Sequence, residues 1–303
     1  MLTHSTIYRT PATYASFPYI CGDANGGQLC VFRQAGAATA EMALDNRHTH
    51  QDRDSKIMLA RRPAGQKDWT AAETVIDSSE TRLAVNDPSL TVLRDGSWLL
   101  RFARWHLVTL DRRRELTGPV MRHFPATGEV GRMAGNGFLL SNNGGQSWTE
   151  LPATIDDPQM ATACSRNPVI EHIDGSWLLP VYTGYPEQVE NAYLIRSWDR
   201  GQTWGDWSII AGQPWLNTPY RAGTSHNETS AIMLDDTTML AIVRADSDFH
   251  TEDDAFCSEG GLGELRWTVS RDVGFTWAPV KPLGLFGQPA DLLAISDGRL
   301  LCT

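Results

Sequence analysis

The sequence has few cysteines, no long hydrophobic run and no excess of basic residues. Its five cysteines are spread widely along 303 residues and lack CxxC spacing, so we expect them to be mostly reduced and buried rather than to form disulfides or bind a metal. Apolar runs are only a few residues long, as in 97–100, which predicts no membrane span. The 26 Lys and Arg residues are outnumbered by 36 Asp and Glu, which argues against a nucleic-acid partner.

The start of the chain, residues 1–5, lacks the charged segment and apolar run of a secretory signal. We therefore predict a cytoplasmic location. Potential metal ligands show no recognisable spacing, so no metal or other cofactor is predicted. The content of 41% hydrophobic and 20% charged residues is typical of a globular domain and not of a disordered chain.

A short hairpin pattern recurs along the chain. The hexapeptide Asp-Gly-Ser-Trp-Leu-Leu occurs at 95–100 and again at 174–179. Weaker copies lie at 235–240 and 297–301, and a looser one at 23–32, each after a short apolar stretch. Because Asp and Gly tolerate the positive φ of a tight turn, the pattern predicts a strand, a turn and a second strand.

A second repeat alternates with the first. The pattern Ser-x-Asp/Asn-x-Gly-x-Ser/Thr-Trp occurs at 141–148, 197–204 and 270–277. We expect the Asp or Asn side chain to accept hydrogen bonds from the local backbone and the Gly to adopt the left-handed conformation. The Trp is expected to pack the turn against a sheet.

Repeats of roughly 60–80 residues, each with about four strands, predict the blades of a β-propeller. We predict one propeller domain over 1–303, with blades at about 18–69, 88–148, 168–204 and 229–277 and a partial blade from 290. Residues 105–136 show no clear strand pattern. Since the chain stops within a predicted strand, we expect it to be a fragment; closure as five blades and completion by dimerisation are the alternatives.

The eight-residue turn is the Asp-box (BNR) repeat, and with it the chain resembles the sialidase superfamily. The resemblance implies an all-β, six-bladed propeller, of which about four and a half blades are visible here. It also implies a glycoside hydrolase that acts on terminal acidic sugars such as sialic acid. Its members use a tyrosine nucleophile assisted by a glutamate, an aspartic acid/base, and three arginines that bind the substrate carboxylate.

The family's acid/base aspartate lies on a loop nine positions before an Arg-Arg pair. Asp52 precedes Arg61-Arg62 by the same spacing, so the resemblance implies that Asp52 is the general acid/base, with Asp54 as the second choice. The loop around them, 47–54, is dense in titratable groups, as a proton-transfer site would be. The alternative is a solvated polar loop between strands.

The family's glutamate also has a counterpart. Asn227-Glu228-Thr229 is followed by an apolar strand, a turn and a second strand that ends at Arg244. The resemblance implies that Glu228 polarises the nucleophile and that Arg244 is one of the substrate-binding arginines. Alternatively, Glu228 caps the top of a blade and Arg244 is the surface end of a strand.

Two positions depart from the family pattern. Ser16 stands where the first substrate-binding arginine is expected, and Pro289 stands at the position of the tyrosine nucleophile. Arg33, at the end of the following predicted strand, is the candidate for a replacement cation. Other tyrosines are present, but none has a matching sequence context. Four further polar residues near the ends of other predicted strands are candidates for a central pocket or for simple strand caps: Asp87, Arg101, Arg104 and Arg166.

The functional hypothesis is therefore a sialidase-like carbohydrate-active propeller with a sugar as its partner. A hydrolase of different chemistry would use Asp52 and Glu228 as a carboxylate pair, whose separation would decide between inversion and retention. The alternative hypothesis is a non-catalytic Asp-box propeller that binds a carbohydrate or protein ligand in its axial pocket.

Overall fold

The chain folds mainly into antiparallel β-sheet. A computed structural model describes residues 4–44, 50–80, 83–116, 122–124, 127–155, 157, 160–183, 190–212, 225–246, 263–287, 289–295 and 297–303. These divide into two compact units, Met1–Pro152 and Ala153–Thr303. Each unit is described by itself.

The first unit contains two sheets. Sheet 1 has the order β1-β2-β3-β4, and a short helix, α1, joins β2 to β3. Its elements are β1 (Tyr14–Gly22), β2 (Gln28–Ala35), α1 (Ala37–Leu44), β3 (Lys56–Arg62) and β4 (Glu73–Asp77). Sheet 2 has the order β5-β6-β8-β7, and β9 pairs with β8. Its strands are β5 (Leu83–Val92), β6 (Trp98–Thr109), β7 (Arg122–Phe124), β8 (Glu129–Ser141) and β9 (Thr149–Glu150).

Sheet 2 extends into a segment in which no strand was predicted from the sequence. Strands β6 and β8 pair continuously from Trp98 opposite Ser141 to Thr109 opposite Glu129, apart from one register shift. Trp105 and Leu107 are buried, whereas His106 between them is exposed. This alternation is the expected strand signal, but in the sequence it is short and is followed closely by the basic residues 112–114.

The second unit contains sheets 3, 4 and 5. Sheet 3 has the order β10-β14-β13-β12-β11, with β10 parallel to β14. Sheet 4 has the order β15-β16-β17-β18, and sheet 5 is a two-stranded hairpin. Their strands are β10 (Thr154–Ile155), β11 (Ile170–Glu171), β12 (Trp177–Thr183), β13 (Asn191–Ser197), β14 (Thr203–Ala211), β15 (Ser225–Met233), β16 (Met239–Asp246), β17 (Gly263–Ser270), β18 (Lys281–Phe286), β19 (Leu292–Ala294) and β20 (Leu300–Cys302).

Apolar side chains fill the space between neighbouring sheets of each unit. The core of the first unit joins sheets 1 and 2 and includes Leu29, Leu59, Leu90 and Leu100, each at most 1% exposed. The core of the second unit joins sheets 3 and 4 through such residues as Leu178, Leu194, Met239 and Val243. Burial of apolar area at roughly 25 cal/mol per Å² is the main force that holds adjacent sheets face to face.

The prediction for the cysteines is confirmed only in part. Cys30 and Cys164 are buried, and Cys21 is half-buried; all are free thiols. Burial raises the pKa of Cys21 to about 12. Cys302, however, is exposed, as are the other two residues of β20. Cys257 lies outside the described residues.

The predicted Asp-Gly hairpin turns are confirmed. Gly96 has φ +84° and Gly175 has φ +90°. In each turn the Asp carboxylate accepts a hydrogen bond from the backbone N–H two residues later, at 2.9 Å for Asp95 and 2.8 Å for Asp174. The identical hexapeptides therefore form the same turn in sheets 2 and 3.

The Asp-box turns also follow the prediction. In the second copy, Asp199 accepts hydrogen bonds from the N–H of Thr203 at 2.8 Å and from its hydroxyl at 2.7 Å. Gly201 has φ +84° and donates its N–H to Ser197 Oγ at 2.7 Å. Trp204 is 1% exposed, and its indole N–H donates to the Gly201 carbonyl at 3.1 Å. The side chains thus satisfy the polar groups of the turn, and the Trp closes it against the sheet.

One property of these turns was not predicted. The residue before the turn glycine is left-handed as well: Gly144 has φ +66°, Arg200 +59° and Val273 +58°. A β-branched residue rarely adopts this conformation. Val273 packs against the core of the second unit, and this burial offsets part of the backbone strain.

Substitution of Asp272 by Ala should lower the free energy of unfolding by about 1–2 kcal/mol. The carboxylate accepts hydrogen bonds from the Thr276 N–H at 2.9 Å and hydroxyl at 2.6 Å, and both donors would lose this acceptor. Urea unfolding at neutral pH measures the effect. The neighbouring Arg271→Ala is the control, because that side chain is exposed; an equal loss in both variants would contradict the prediction.

The effect of Asp272→Ala should depend on pH. Burial acts to raise the pKa of Asp272, but hydrogen bonds from Thr276 and Ser270 outweigh it and hold the pKa below its ordinary value. A lowered pKa contributes stability that is present above the pKa of the unfolded chain and is lost as pH falls through the folded pKa. The difference between wild type and variant should therefore shrink below about pH 4; a constant difference down to acid pH would contradict this.

Candidate functional site

Three inner strands share an irregularity near the start of the strand. The register shifts between Ser16 and Tyr19 in β1, and similar shifts occur in β5 and β15. Within the shifts lie three residues with positive φ: Phe17 at +53°, Asp87 at +46° and Glu228 at +38°. A bulge of this kind takes a residue out of the ladder and changes the direction of its side chain. Two of the three bulged residues are predicted site residues.

In the first unit, Arg33 lies directly beside the residue that replaces the expected arginine. Arg33 is 0% exposed and pairs in register with Ser16, to whose hydroxyl its Nη1 donates at 3.4 Å. Its guanidinium lies 5.8 Å from the centroid of the Phe17 ring. The structure therefore places a cation next to Ser16, as predicted from the sequence, but fully buried.

Arg33 is electrostatically linked to two other predicted site residues. Desolvation lowers the pKa of Arg33 to about 10, and the carboxylates of Asp52 and Asp87, with Tyr14, oppose this shift. Asp87 is itself 9% exposed. The first unit thus brings Arg33, Asp52 and Asp87 into one buried or half-buried cluster.

Asp52 has a clear structural role. Its Oδ2 accepts hydrogen bonds from the N–H of Gly36 at 2.9 Å and the hydroxyl of Thr39 at 2.6 Å, at the start of α1. Its Oδ1 accepts the N–H of Asp54 at 2.8 Å. Oδ2 therefore joins the loop before β3 to the start of the helix, and Oδ1 closes a turn within that loop. The Asp54 side chain is exposed, and residues 47–49 of the predicted loop lie outside the described part of the chain.

In the second unit, Glu228 is held between two arginines. Arg166 Nη1 donates to its Oε1 at 2.9 Å and Arg244 Nη1 donates to its Oε2 at 2.6 Å. The side chain of Glu228 is 16% exposed, that of Arg166 28% and that of Arg244 7%. The structure brings these three predicted residues together, although Arg166 and Glu228 are 62 positions apart.

A second layer of polar residues holds Arg244 in place. Its Nε donates to Asp246 Oδ1 at 2.9 Å. Asn227, which pairs in register with Arg244, donates its amide N–H groups to Asp246 at 3.1 Å and Glu190 at 2.7 Å. Neither carboxylate was predicted from the sequence. Asp246 could have been found because it lies two positions after Arg244 on one strand face, but Glu190 has no local signal.

The charges around Glu228 keep it ionised. Burial acts to raise the pKa of Glu228, but the positive charges of Arg166 and Arg244 outweigh burial and lower it. Conversely, burial acts to lower the pKa of Arg244, and Glu228 and Asp246 raise it. Glu228 is therefore suited to act as a base, as a nucleophile or as a stabiliser of positive charge, and not as a proton donor.

The segment that resembles the family's nucleophile lies beside β15. Ser230 Oγ donates to Asp291 Oδ1 at 3.2 Å and accepts the N–H of Leu292 at 3.1 Å. Pro289, just before it, offers no nucleophilic atom. Among the other tyrosines of the chain, Tyr193 is 2% exposed, whereas Tyr185 and Tyr220 lie outside the described residues.

Two further arginines are held within sheet 2. Arg101 is 0% exposed and its Nε donates to Ser89 Oγ at 3.1 Å. Arg104 donates to the Asn136 carbonyl at 3.0 Å and lies 3.5 Å from a Glu150 oxygen. Both are therefore accounted for by contacts within their own sheet.

Solved structures with similar architecture define the fold. A protein of unknown function from Dyadobacter fermentans has a TM-score of 0.75 at 24% identity, over 98% of this chain and 76% of that chain. A mutant of NanB sialidase from Streptococcus pneumoniae has a TM-score of 0.60 at 13% identity, over 97% of this chain and 57% of the sialidase. An α-L-arabinanase from Penicillium chrysogenum, complexed with arabinobiose, has a TM-score of 0.59 at 12% identity, over 98% and 76%.

These similarities show that the chain has an all-β, sialidase-like β-propeller fold. It spans little more than half the length of the sialidase. The BNR repeat-like domain family matches residues 46–303, and the chain therefore belongs to that family. No curated protein matches the sequence significantly.

Metal-ligating clusters and membrane-spanning helices are both absent from the described residues. Within those ranges, no three or more His, Cys, Asp or Glu side chains are grouped so that they could hold a metal ion. No helix in the described part of the chain has the length and apolar character needed to cross a membrane.

Replacement of Asp52 by Asn should lower the free energy of unfolding by about 1–2 kcal/mol. The amide keeps only one acceptor oxygen, so either the Asp54 N–H or the two donors at the start of α1 lose their partner. Thermal unfolding with Asp54→Asn as the matched control measures this. An unchanged melting temperature in Asp52→Asn would contradict the anchoring role.

Proposed function

We propose that the chain is a carbohydrate-active propeller that hydrolyses a glycosidic bond, with Glu228 as an ionised catalytic carboxylate. The observation that supports this most is the position of Glu228 on a left-handed bulge between Arg166 and Arg244. A bulged, strained residue that carries a buried charge is typical of a functional site.

The chemistry follows from the charge of Glu228. Glycoside hydrolysis passes through a transition state with positive charge on the sugar ring, which a nearby carboxylate stabilises or attacks. The lowered pKa of Glu228 keeps this carboxylate charged at neutral pH. With Pro289 in place of the tyrosine, a carboxylate mechanism is favoured over the tyrosine mechanism that the family resemblance implies.

The substrate is proposed to be a terminal sugar. The structural relatives include a sialidase and an arabinanase, so an acidic sugar and a neutral pentose are both to be tested. An acidic sugar such as sialic acid remains the prediction from the family resemblance, with Arg166 and Arg244, the two arginines beside Glu228, as the candidate cations.

Replacement of Glu228 by Gln should reduce turnover by about 10²-fold or more, because the amide cannot carry the charge. Initial rates on an aryl α-sialoside and an aryl α-L-arabinofuranoside measure this. Glu73→Gln is the matched control, since it also removes a carboxylate that is paired with an arginine, Arg61, at 2.5 Å. Equal activity of the Glu228 variant and wild type would contradict the proposal.

Replacement of Arg166 by Gln should move the acid limb of the pH profile of kcat/KM to higher pH. Arg166 lowers the pKa of Glu228, so removal of Arg166 raises that pKa. As the solution is acidified, Glu228 is then protonated, and activity is lost, at a higher pH than in the wild type. Arg299→Gln, at an exposed pair with Asp297, is the control. A shift to lower pH, or none, would contradict the assignment of the limb to Glu228.

The second candidate function is carbohydrate binding without cleavage. Pro289 removes the expected nucleophile, and both oxygens of Asp52 accept hydrogen bonds, Oδ2 at the start of α1 and Oδ1 from Asp54. If wild type shows no turnover on either glycoside while isothermal titration detects binding of the free sugars, this second function replaces the first.

A further inference from the structure

A buried arginine lies between two exposed aromatic rings in the second unit. Arg196, on β13, is 2% exposed, and its Cζ lies 3.9 Å from the centroid of Phe275 and 5.4 Å from that of Trp198. Trp198 is 56% exposed and Phe275 51%. The two rings come from neighbouring sheets, at the second and third Asp-box turns.

This cluster lies at the other end of sheet 4 from Glu228. The strand residue Met239 pairs with Met233 and with Ser270, where the third Asp-box begins. At the opposite end, Asp246 pairs with Ser225 and Gly263, near Glu228. The cluster is therefore separate from the candidate site around Glu228.

The hydrogen-bonding capacity of Arg196 is only partly used. Its Nη2 donates to the Val273 carbonyl at 2.7 Å. Its Nε and Nη1 are buried and have no hydrogen-bond partner among the described residues. Buried donors are normally satisfied, so this incomplete pairing indicates a missing acceptor.

An equivalent arginine in the first unit shows how the missing acceptor is supplied elsewhere. Arg61, on the third strand of sheet 1, donates to the carbonyl of Gly144, the residue before the box glycine, as Arg196 does to Val273. Arg61 Nη1 also donates to Glu73 Oε1 at 2.5 Å. Arg61 and Arg196 both lie near an aromatic ring, but among the described residues Arg196 has no such hydrogen bond to a carboxylate.

The two rings are held in position although half of each is exposed. The Trp198 indole N–H donates to Asp206 Oδ2 at 2.8 Å, and Phe275 stacks on the guanidinium of Arg196. Exposed aromatic side chains that are already ordered lose little conformational entropy when a ligand binds. They offer flat apolar faces beside a hydrogen-bond donor.

We propose that Trp198, Phe275 and Arg196 form a second binding site, for a neutral polysaccharide. The C–H face of a sugar ring stacks on the exposed aromatic rings, and a hydroxyl oxygen supplies the acceptor for Arg196 Nη1. A small number of convergent polar groups among aromatic side chains is typical of small-ligand sites.

The surrounding charges favour a neutral ligand over an anionic one. Desolvation lowers the pKa of Arg196, and the carboxylates of Asp174, Asp206 and Asp272 oppose the shift. These carboxylates act on Arg196 through their charge, and Asp206 accepts its hydrogen bond from Trp198 of the same cluster. An anionic sugar would add a further negative charge, whereas neutral hydroxyl groups can donate to these carboxylates and accept from the arginine.

Gel electrophoresis of the folded full chain in the presence of soluble polysaccharides tests the proposal. The probes are arabinan, xylan, galactan and mixed-linkage β-glucan, with polygalacturonate as the anionic probe. We expect at least one neutral polysaccharide to retard wild type, and Trp198→Ala and Phe275→Ala to abolish at least nine-tenths of the retardation. Polygalacturonate should have no effect.

A matched variant distinguishes binding at this cluster from binding at another exposed tryptophan. Trp207 is also partly exposed, at 40%, but it contacts Asp157 and Tyr193 instead. Trp207→Ala should therefore keep the full retardation. Phe275→Leu keeps apolar bulk without the aromatic face and should lose retardation if the fold, checked by thermal unfolding, is intact.

The proposal is overturned by any of four results. No retardation of wild type by any neutral polysaccharide would refute it, and so would retardation by polygalacturonate alone. Retardation that survives both Trp198→Ala and Phe275→Ala, or that is lost equally in Trp207→Ala, would place the binding elsewhere.

Discussion

The candidate site depends on a single backbone constraint, a left-handed residue within a bulge of an inner strand. A non-glycine residue in this conformation costs roughly 1–2 kcal/mol, so surrounding contacts must maintain it. At Glu228 the maintaining contacts are the two ion pairs with Arg166 and Arg244, and at Asp87 the bulge is buried. The same bulge in β1 carries Phe17, whose ring lies near Arg33. The same type of bulge thus carries a carboxylate in two sheets, Asp87 and Glu228, and an aromatic ring, Phe17, in a third.

The fold could be predicted from the sequence because its turns are local. Asp95, Asp174, Asp199 and their glycines satisfy their hydrogen bonds within a few residues, so short motifs carry the whole signal. The hairpin extension of β6 and β8 was missed because its alternation is short. The left-handed residues before the box glycines were missed because Arg200 and Val273 give no indication of a positive φ.

The structure brings together three residues that were proposed from the sequence, but their connections were not predicted. Glu228, Arg244 and Arg166 were proposed from a family resemblance and from strand ends, yet their mutual ion pairs join distant positions that no local pattern relates. Glu190 is connected to the site through Asn227, and Asp246 through both Asn227 and Arg244. The role of Asp52 at the start of α1 was also hidden, because no pattern in the sequence relates it to Gly36 and Thr39. Tertiary contacts decide such roles, and spacing along the chain does not encode them.

Each unit has an arginine, Arg61 or Arg196, whose contact with a distant turn affects how the protein folds. Arg61 and Gly144 are 83 positions apart, and Arg196 and Val273 are 77 apart. Each arginine thus depends on a turn that is synthesised much later than its own strand. Contacts of such long sequence separation slow folding. After a sheet has emerged from the ribosome, its arginine therefore stays solvated at the edge until the next sheet packs against it. Neighbouring sheets are thus expected to fold cooperatively and not as independent units.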